Sequence, residues 1–220
     1  MGIYIEALVL YILLFFSGSM AQITGITAQA AGFSAIAGIV RIVLYIIPAI
    51  VLIWYLLLKT WKLEYWVIRP GRKDLISGLI TFPFLLLTGF AIAYLSSYID
   101  GTATVKLVVP SSAAQWIVLC IICILAAYLE ESFFRFYLLS RRQEMNMSAA
   151  SALIFSVILF SVCHVYEGPW GFLNAVISGT FLGFMFLRYN SIHGIAVAHG
   201  LYNIVIYAAY AVLTLYKVID

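Results

Sequence analysis

Long apolar runs dominate this chain, and the short segments between them hold most of its charged residues. A transmembrane helix needs about 20 mainly apolar residues, and stretches of that kind recur throughout the sequence. Because helices that are apolar all round carry little amphipathic signal, periodicity does not fix their ends more closely. The candidate spans are 4–23, 39–58, 75–97, 113–138, 149–166, 170–188 and 193–216. We therefore predict an all-α, polytopic integral membrane helical bundle of about seven transmembrane helices, within a range of roughly six to eight.

The composition also favours a membrane protein. Hydrophobic residues make up 65% of the 220 and charged residues 10%, against about 45–50% and about 25% in ordinary soluble domains. No internal repeat or linker divides the sequence, so residues 1–220 are expected to form a single integral membrane domain. The net charge of +3 is too small to favour nucleic acid as a partner, and the expected surroundings are the lipid bilayer.

The basic residues predict the orientation. Lys and Arg cluster in three segments between the candidate spans, namely 59–74, 139–148 and 188–192. Short cytoplasmic loops of membrane proteins carry an excess of Lys and Arg. We therefore expect these segments and the N-terminus to lie in the cytoplasm. The compact chain, without an added soluble domain, is more typical of a prokaryotic plasma membrane protein than of a eukaryotic one.

Polar side chains interrupt the candidate spans in the second half of the chain. On insertion scales an ionisable residue at the centre of a span costs at least about 2.5–3.5 kcal/mol, so such residues face the bundle interior and usually mark function. The side chains that stand out are Glu130, Glu131, Arg135, His164, His199 and Asn203. They are the candidate site residues.

The two neighbouring glutamates are expected to have different roles. Glu131 and Arg135 are four residues apart and share a helix face, so they can pair. Glu130 lies about 100° round the helix from Glu131, so the two carboxylates cannot address one partner in the same way. This spacing suggests that Arg135 neutralises and orients Glu131, while Glu130 points into a cavity as a general base. The alternative is a buried charge triad that only fixes the register of the helix.

A second pair lies near the end of the chain. His199 and Asn203 are four residues apart on one helix face. They could offer two donors to an oxyanion that develops during a reaction. The alternative for His199 is an ordinary hydrogen-bonded contact between helices. The same alternative applies to His164, at the end of the fifth candidate span.

Three motifs follow one another on separate apolar segments. They are E-E-x-x-x-R at 130–135, F-x-x-x-H at 160–164 and H-x-x-x-N at 199–203. In this order they resemble the motifs of the CAAX prenyl protease and bacteriocin-processing family (CPBP, or Abi) of intramembrane peptidases. The resemblance covers about 113–216, which would be the catalytic core. It implies an all-helical intramembrane fold whose polar groups surround a water-filled cavity.

Carried over residue by residue, the resemblance implies that Glu130 activates the hydrolytic water and that His164 helps to hold it. His199 and Asn203 would stabilise the oxyanion, and the second Glu and the Arg of the first motif would form a supporting ion pair. The implied enzyme is an intramembrane endopeptidase. Its partner would be a peptide or protein substrate with a membrane-proximal or lipidated segment, as in CAAX-type or other terminal-segment processing.

A metal-dependent version of this chemistry is the alternative mechanism. Glu130, His164 and His199 could supply three zinc ligands and leave a position for water. The sequence has no H-E-x-x-H, and Asn203 would be a poor fourth ligand. A glutamate-type peptidase without a metal cofactor is therefore favoured over a zinc metalloprotease.

Two functions without proteolysis compete with this prediction. A binding or regulatory membrane protein of the same fold could use the cavity to hold a peptide or a partner, although a scaffold need not keep every motif residue intact. A proton-coupled transporter could use Glu130 and His199 as a relay. The chain lacks the paired, Gly- or Pro-interrupted helices expected of inverted repeats, so a protease is the favoured function.

Overall fold

The computed structural model describes residues 2–16, 32–60, 69–99 and 107–216, and every regular element in these residues is a helix. We number the principal helices α1 to α7 in chain order. They are α1 (Ile3–Phe16), α2 (Ala35–Arg41, continued through Ile42–Ile46 and Ile47–Thr60), α3 (Arg72–Ile99), α4 (Ala113–Ser140), α5 (Ala149–Val162), α6 (Gly168–Tyr189) and α7 (His193–Leu215).

The predicted all-α membrane bundle is confirmed. Within the described ranges, five helices are long and apolar enough to cross a membrane, namely α2, α3, α4, α6 and α7. α1 and α5 are apolar but shorter. α5 has 14 residues, which span about 21 Å and fall short of a bilayer core of about 30 Å. The C-terminal part of the first predicted span, after Phe16, lies outside the described residues.

The fifth helix ends earlier than the predicted span 149–166. α5 stops at Val162, and a short 3₁₀ turn over Val165–Glu167 leads into α6. Gly168 then adopts a φ of 78°, in the left-handed region that glycine enters without the steric penalty of a Cβ atom. His164 therefore lies on the turn between α5 and α6, and not on a helix.

α4 is the central helix and packs against α2, α5, α6 and α7. Its last third is fully buried and contains a π-helical turn, Ser132–Tyr137. Such turns are frequent at functional sites. Two side-chain hydrogen bonds hold this one: Trp54 Nε1 donates to Ser132 Oγ at 2.8 Å, and Ser156 Oγ donates to the carbonyl of Phe134 at 2.6 Å.

α3 and α7 approach each other closely at their N-terminal ends. A Cβ atom on Gly194 would overlap the Ser77 hydroxyl and the Asp74 carbonyl. The hydroxyls of Ser77 and Ser191 lie 3.2 Å apart, and Ser191 also donates to the Asp74 carboxylate. Small residues of this kind allow membrane helices to pack backbone to backbone, and here they fix the position of α7 against the bundle.

α1 is attached to the end of α4 by a compact ionic network. Arg141, 4% exposed, donates to Glu6 at 2.8 Å and also pairs with Glu144 at 2.8 Å. The Tyr137 hydroxyl donates to the same Glu6 oxygen at 2.7 Å. Because each charge has an opposite charge as its partner, this network anchors the N-terminal helix without leaving an isolated ion.

Candidate active site

A buried ion pair lies at the centre of the site. Glu131 and Arg135 are both 0% exposed, and Arg135 Nη1 lies 3.2 Å from Glu131 Oε1. Arg135 Nη2 donates to the carbonyl of Gly179 on α6 at 3.1 Å. The guanidinium carbon also lies 4.4 Å from the centre of the Phe160 ring, within the range of a cation–π contact. The cation is therefore held by α4, α5 and α6 together.

His199 completes this chain of contacts from α7. Its Nδ1 lies 2.9 Å from Glu131 Oε1, and a carboxylate oxygen can only accept a hydrogen bond. Nδ1 therefore carries a proton, and Nε2 is the nitrogen that faces the rest of the site. α7 can come this close because Gly200 lies against α4, where a Cβ atom would be 2.7 Å from Ile124 Cδ1.

Glu130 lies in a different environment from its neighbour. Its side chain is 25% exposed, and its Oε2 lies 3.8 Å from His199 Nε2. That oxygen is itself buried and has no hydrogen-bond partner among the described residues. Buried polar groups are normally paired, so an unpaired carboxylate oxygen beside an imidazole nitrogen is a feature that needs an explanation.

His164 lies against Phe160. Its Nδ1 lies 2.8 Å from the Phe160 carbonyl, which can only accept, so Nδ1 carries the proton and Nε2 is left as an acceptor. The ring centres of His164 and Phe160 are 4.5 Å apart, and those of Phe160 and His199 are 6.2 Å apart. The Phe160 ring thus lies near both histidines.

Asn203 is half-buried on α7, one turn beyond His199. In the described part of the chain, no hydrogen bond joins its side chain to Glu130, His164 or His199. The structure therefore brings four of the candidate residues into direct contact or close approach and places His164 against Phe160. Asn203 lies on the same helix as His199, with no hydrogen bond to these groups among the described residues.

The side chains as arranged do not fit a zinc site. No three His, Cys, Asp or Glu side chains in the described ranges lie close enough together to hold a metal ion. A catalytic zinc takes three protein ligands around one point, and the side chains of the described residues do not converge in that way. The proposed reaction is therefore built from the side chains alone.

Two residues of the site region were not predicted. Asn174 donates through Nδ2 to the Tyr202 hydroxyl at 3.2 Å, and its buried Oδ1 has no partner among the described residues. In the sequence, Asn174 could have been singled out because it is the one Asn inside the apolar run 170–188. Gly179 holds Arg135 through a backbone carbonyl, and nothing in the sequence marks one glycine of a membrane helix as the acceptor of a hydrogen bond from a distant arginine.

Comparison with protein families places this geometry in context. Residues 112–205 match the family described as Type II CAAX prenyl endopeptidase Rce1-like. We refer to residues 112–205 as the Rce1-like domain, after the family model that they match. The match confirms the resemblance drawn from the three motifs, and the Rce1-like domain includes all six candidate site residues on α4, the α5–α6 turn and α7. No curated protein and no solved structure matched the chain. With its apolar helices and this domain, the chain is an integral membrane protein.

Proposed function

We propose that this chain is an intramembrane endopeptidase that hydrolyses a peptide bond of a membrane-associated substrate of the CAAX type. The observation that supports this proposal is the contrast between the two neighbouring glutamates. Glu131 is fully buried and its Oε1 contacts both Arg135 and His199, whereas Glu130 is 25% exposed and approaches His199 Nε2 at 3.8 Å. One oxygen of each carboxylate, Oε2, has no hydrogen-bond partner among the described residues, so the difference between the two lies in exposure and in pairing with Arg135. A partly exposed carboxylate that is not paired with an arginine is suited to act as a general base.

In the proposed reaction a water molecule lies between Glu130 and His164. Both offer acceptors, the free Oε2 of Glu130 and the Nε2 of His164. Glu130 takes a proton from the water molecule, and the oxygen of that water molecule attacks the carbonyl carbon of the substrate. Glu130 then gives that proton to the leaving nitrogen as the carbon–nitrogen bond breaks. The products are a carboxylic acid and an amine, and the carboxylate of Glu130 is regenerated.

Two side chains on α7 are the proposed donors to the oxyanion. Asn203 can donate from its amide. Because the Nδ1 proton of His199 is directed at Glu131, donation from Nε2 requires the imidazolium form of His199. Glu131 and Arg135 act as positioning residues, since they hold the His199 ring and do not reach the substrate. Preorganised donors of this type are worth about 10²–10³ in rate each.

Cleavage by purified protein in lipid vesicles tests the proposal. The substrates are a prenylated peptide ending in a C-a-a-X sequence, the same peptide without the prenyl group, and a membrane-tethered peptide library. We expect Glu130→Gln to reduce the rate by at least about 10²-fold, because it removes the base. The matched control is Glu144→Gln, which makes the same change on a carboxylate that is 41% exposed and paired with Arg141. It should leave the rate within about threefold, as expected of a group outside the site.

The same assay separates the mechanisms and functions that compete. The glutamate mechanism is supported if cleavage survives treatment with a zinc chelator and a metal assay finds well below one zinc per chain. Loss on chelation with about one zinc per chain would instead assign Glu130, His164 and His199 as ligands. Specific binding of the prenylated peptide without cleavage by the wild-type protein would favour the binding or regulatory function.

A further inference from the structure

Phe160 is enclosed by the polar groups of the candidate site. Its side chain is only 2% exposed. The guanidinium carbon of Arg135 lies 4.4 Å from the ring centre, and the ring centres of His164 and His199 lie 4.5 and 6.2 Å away. The ring therefore contacts or approaches Arg135 and both histidines, so a displacement of the ring would change its contacts with these groups.

α6 bounds the same ring with a glycine. A Cβ atom on Gly179 would lie 2.9 Å from Phe160 Cδ1 and 3.4 Å from Arg135 Nη2. A contact of 2.9 Å requires something to move, and the buried Phe160 ring is already packed against Phe134, Arg135 and His164, so its displacement would disturb these groups. The carbonyl of the same residue accepts the hydrogen bond from Arg135 at 3.1 Å. Gly179 therefore contributes to the site in two ways: its carbonyl binds Arg135, and its lack of a Cβ atom leaves room for the Phe160 ring.

We infer that Gly179 is a positioning residue for the reaction. It carries no functional side chain, and α6 supplies none of the motif residues of the Rce1-like domain. Its absence of a Cβ atom lets α6 lie close enough to pack against the Phe160 ring and to hold Arg135 by a carbonyl. This inference rests on the proposed function, and it explains why a helix without motif residues packs against the centre of the site.

Gly183 supplies a matched control on the same helix, one turn further along. A Cβ atom there would overlap the terminal methyl of Leu153. Leu153 is half-buried and lines an open apolar pocket of about 430 Å³ between α3, α5 and α6. A flexible leucine end can turn into that space, whereas the Phe160 ring has no such space. The same Gly→Ala change is therefore expected to disturb the site at position 179 and to spare it at position 183.

The experiment compares Gly179→Ala with Gly183→Ala in the cleavage assay. We expect Gly179→Ala to lower kcat by at least about tenfold with KM changed less than about twofold, because a displacement approaching 1 Å near the reacting groups can cost about 10²-fold. Gly183→Ala should keep kcat within about threefold. A Gly179→Ala enzyme with wild-type kcat, or an equal loss in Gly183→Ala, would overturn the inference.

A second measurement does not depend on activity. The chain has three histidines, so ¹⁵N-histidine labelling gives three imidazole signals, and His199→Gln identifies one of them. The His199 Nδ1 proton, bonded to Glu131, should shift in Gly179→Ala and stay in place in Gly183→Ala. An unchanged His199 signal in Gly179→Ala would also overturn the inference. An unchanged His199 signal rejects only the role of Gly179 if the wild-type protein cleaves the substrate and Glu130→Gln does not. A wild-type protein that is inactive rejects the proposed function.

Discussion

Replacing Arg135 with Met tests the buried ion pair most directly. The Arg135 and Glu131 side chains are both 0% exposed and 3.2 Å apart. Met keeps an extended apolar stem but removes the charge, so the Glu131 carboxylate stays buried with His199 as its remaining partner. Removing one member of a buried pair costs about 3–5 kcal/mol. The variant also loses the hydrogen bond to the Gly179 carbonyl, and this loss lowers the free energy of unfolding further.

A double variant separates the charge from the packing. Adding Glu131→Gln to Arg135→Met removes both charges, and replacing a whole buried pair by neutral groups is often close to neutral for stability. We therefore expect most of the lost stability to return. Cleavage should not return, because an amide at position 131 no longer offers His199 the negative charge that fixes its Nδ1 proton.

The buried thiols of the chain provide the assay. Cys123 and Cys163 are 5% and 7% exposed, so a thiol-reactive dye reports their exposure when the protein is heated in lipid or detergent. A loss of about 3–5 kcal/mol corresponds to a fall of about 6–20 °C in the unfolding midpoint for a chain of this size. Arg188→Met, on an exposed arginine, is the control and should change stability by less than about 0.5 kcal/mol. An Arg135→Met midpoint equal to wild type, or a double variant no more stable than the single one, would refute the reasoning.

Two further predictions concern the support of the site and its orientation. Ser156→Ala leaves the Phe134 carbonyl in the π-helical turn without its 2.6 Å donor and should cost about 1–3 kcal/mol in the thiol assay. Ser151→Ala on the exposed start of α5 serves as the comparison, and equal midpoints would argue against the anchor. Gln143→Cys, at an exposed position in the 139–148 segment, should react with a membrane-impermeant thiol reagent only after cells are permeabilised, as a cytoplasmic loop requires. Labelling of intact cells would reverse the predicted orientation.

The features that helical geometry controls were predictable from the sequence. Apolar runs of about 20 residues are the direct signature of membrane helices, and these runs appear as the helices of the bundle. The spacing of Glu131 and Arg135 placed them on one face, and the structure has them in contact. The offset of Glu130 placed its carboxylate elsewhere, and it lies on the partly exposed side of α4. Each of these follows from rotation and rise along a single helix.

Contacts between distant helices were not predictable in this way. The hydrogen bond from His199 to Glu131 joins residues 68 positions apart and depends on Gly194 and Gly200 letting α7 approach its neighbours. The end of α5 was also missed, because the residues after Val162 remain apolar enough to continue a span. The turn there is set by the left-handed Gly168, and hydropathy carries no information on backbone angles.

The adjacent glutamates have different surroundings because α4 is held from two sides in one rotational setting. Gly200 on α7 lies against α4, where a Cβ atom would be 2.7 Å from Ile124 Cδ1, and the carbonyl of Gly179 on α6 accepts a hydrogen bond from Arg135 at 3.1 Å. A turn of α4 by the 100° that separates one residue from the next would break both contacts and carry Glu131 away from His199. The packing of α4 between α6 and α7 thus fixes which carboxylate is hydrogen-bonded to His199 and which lies on the partly exposed side.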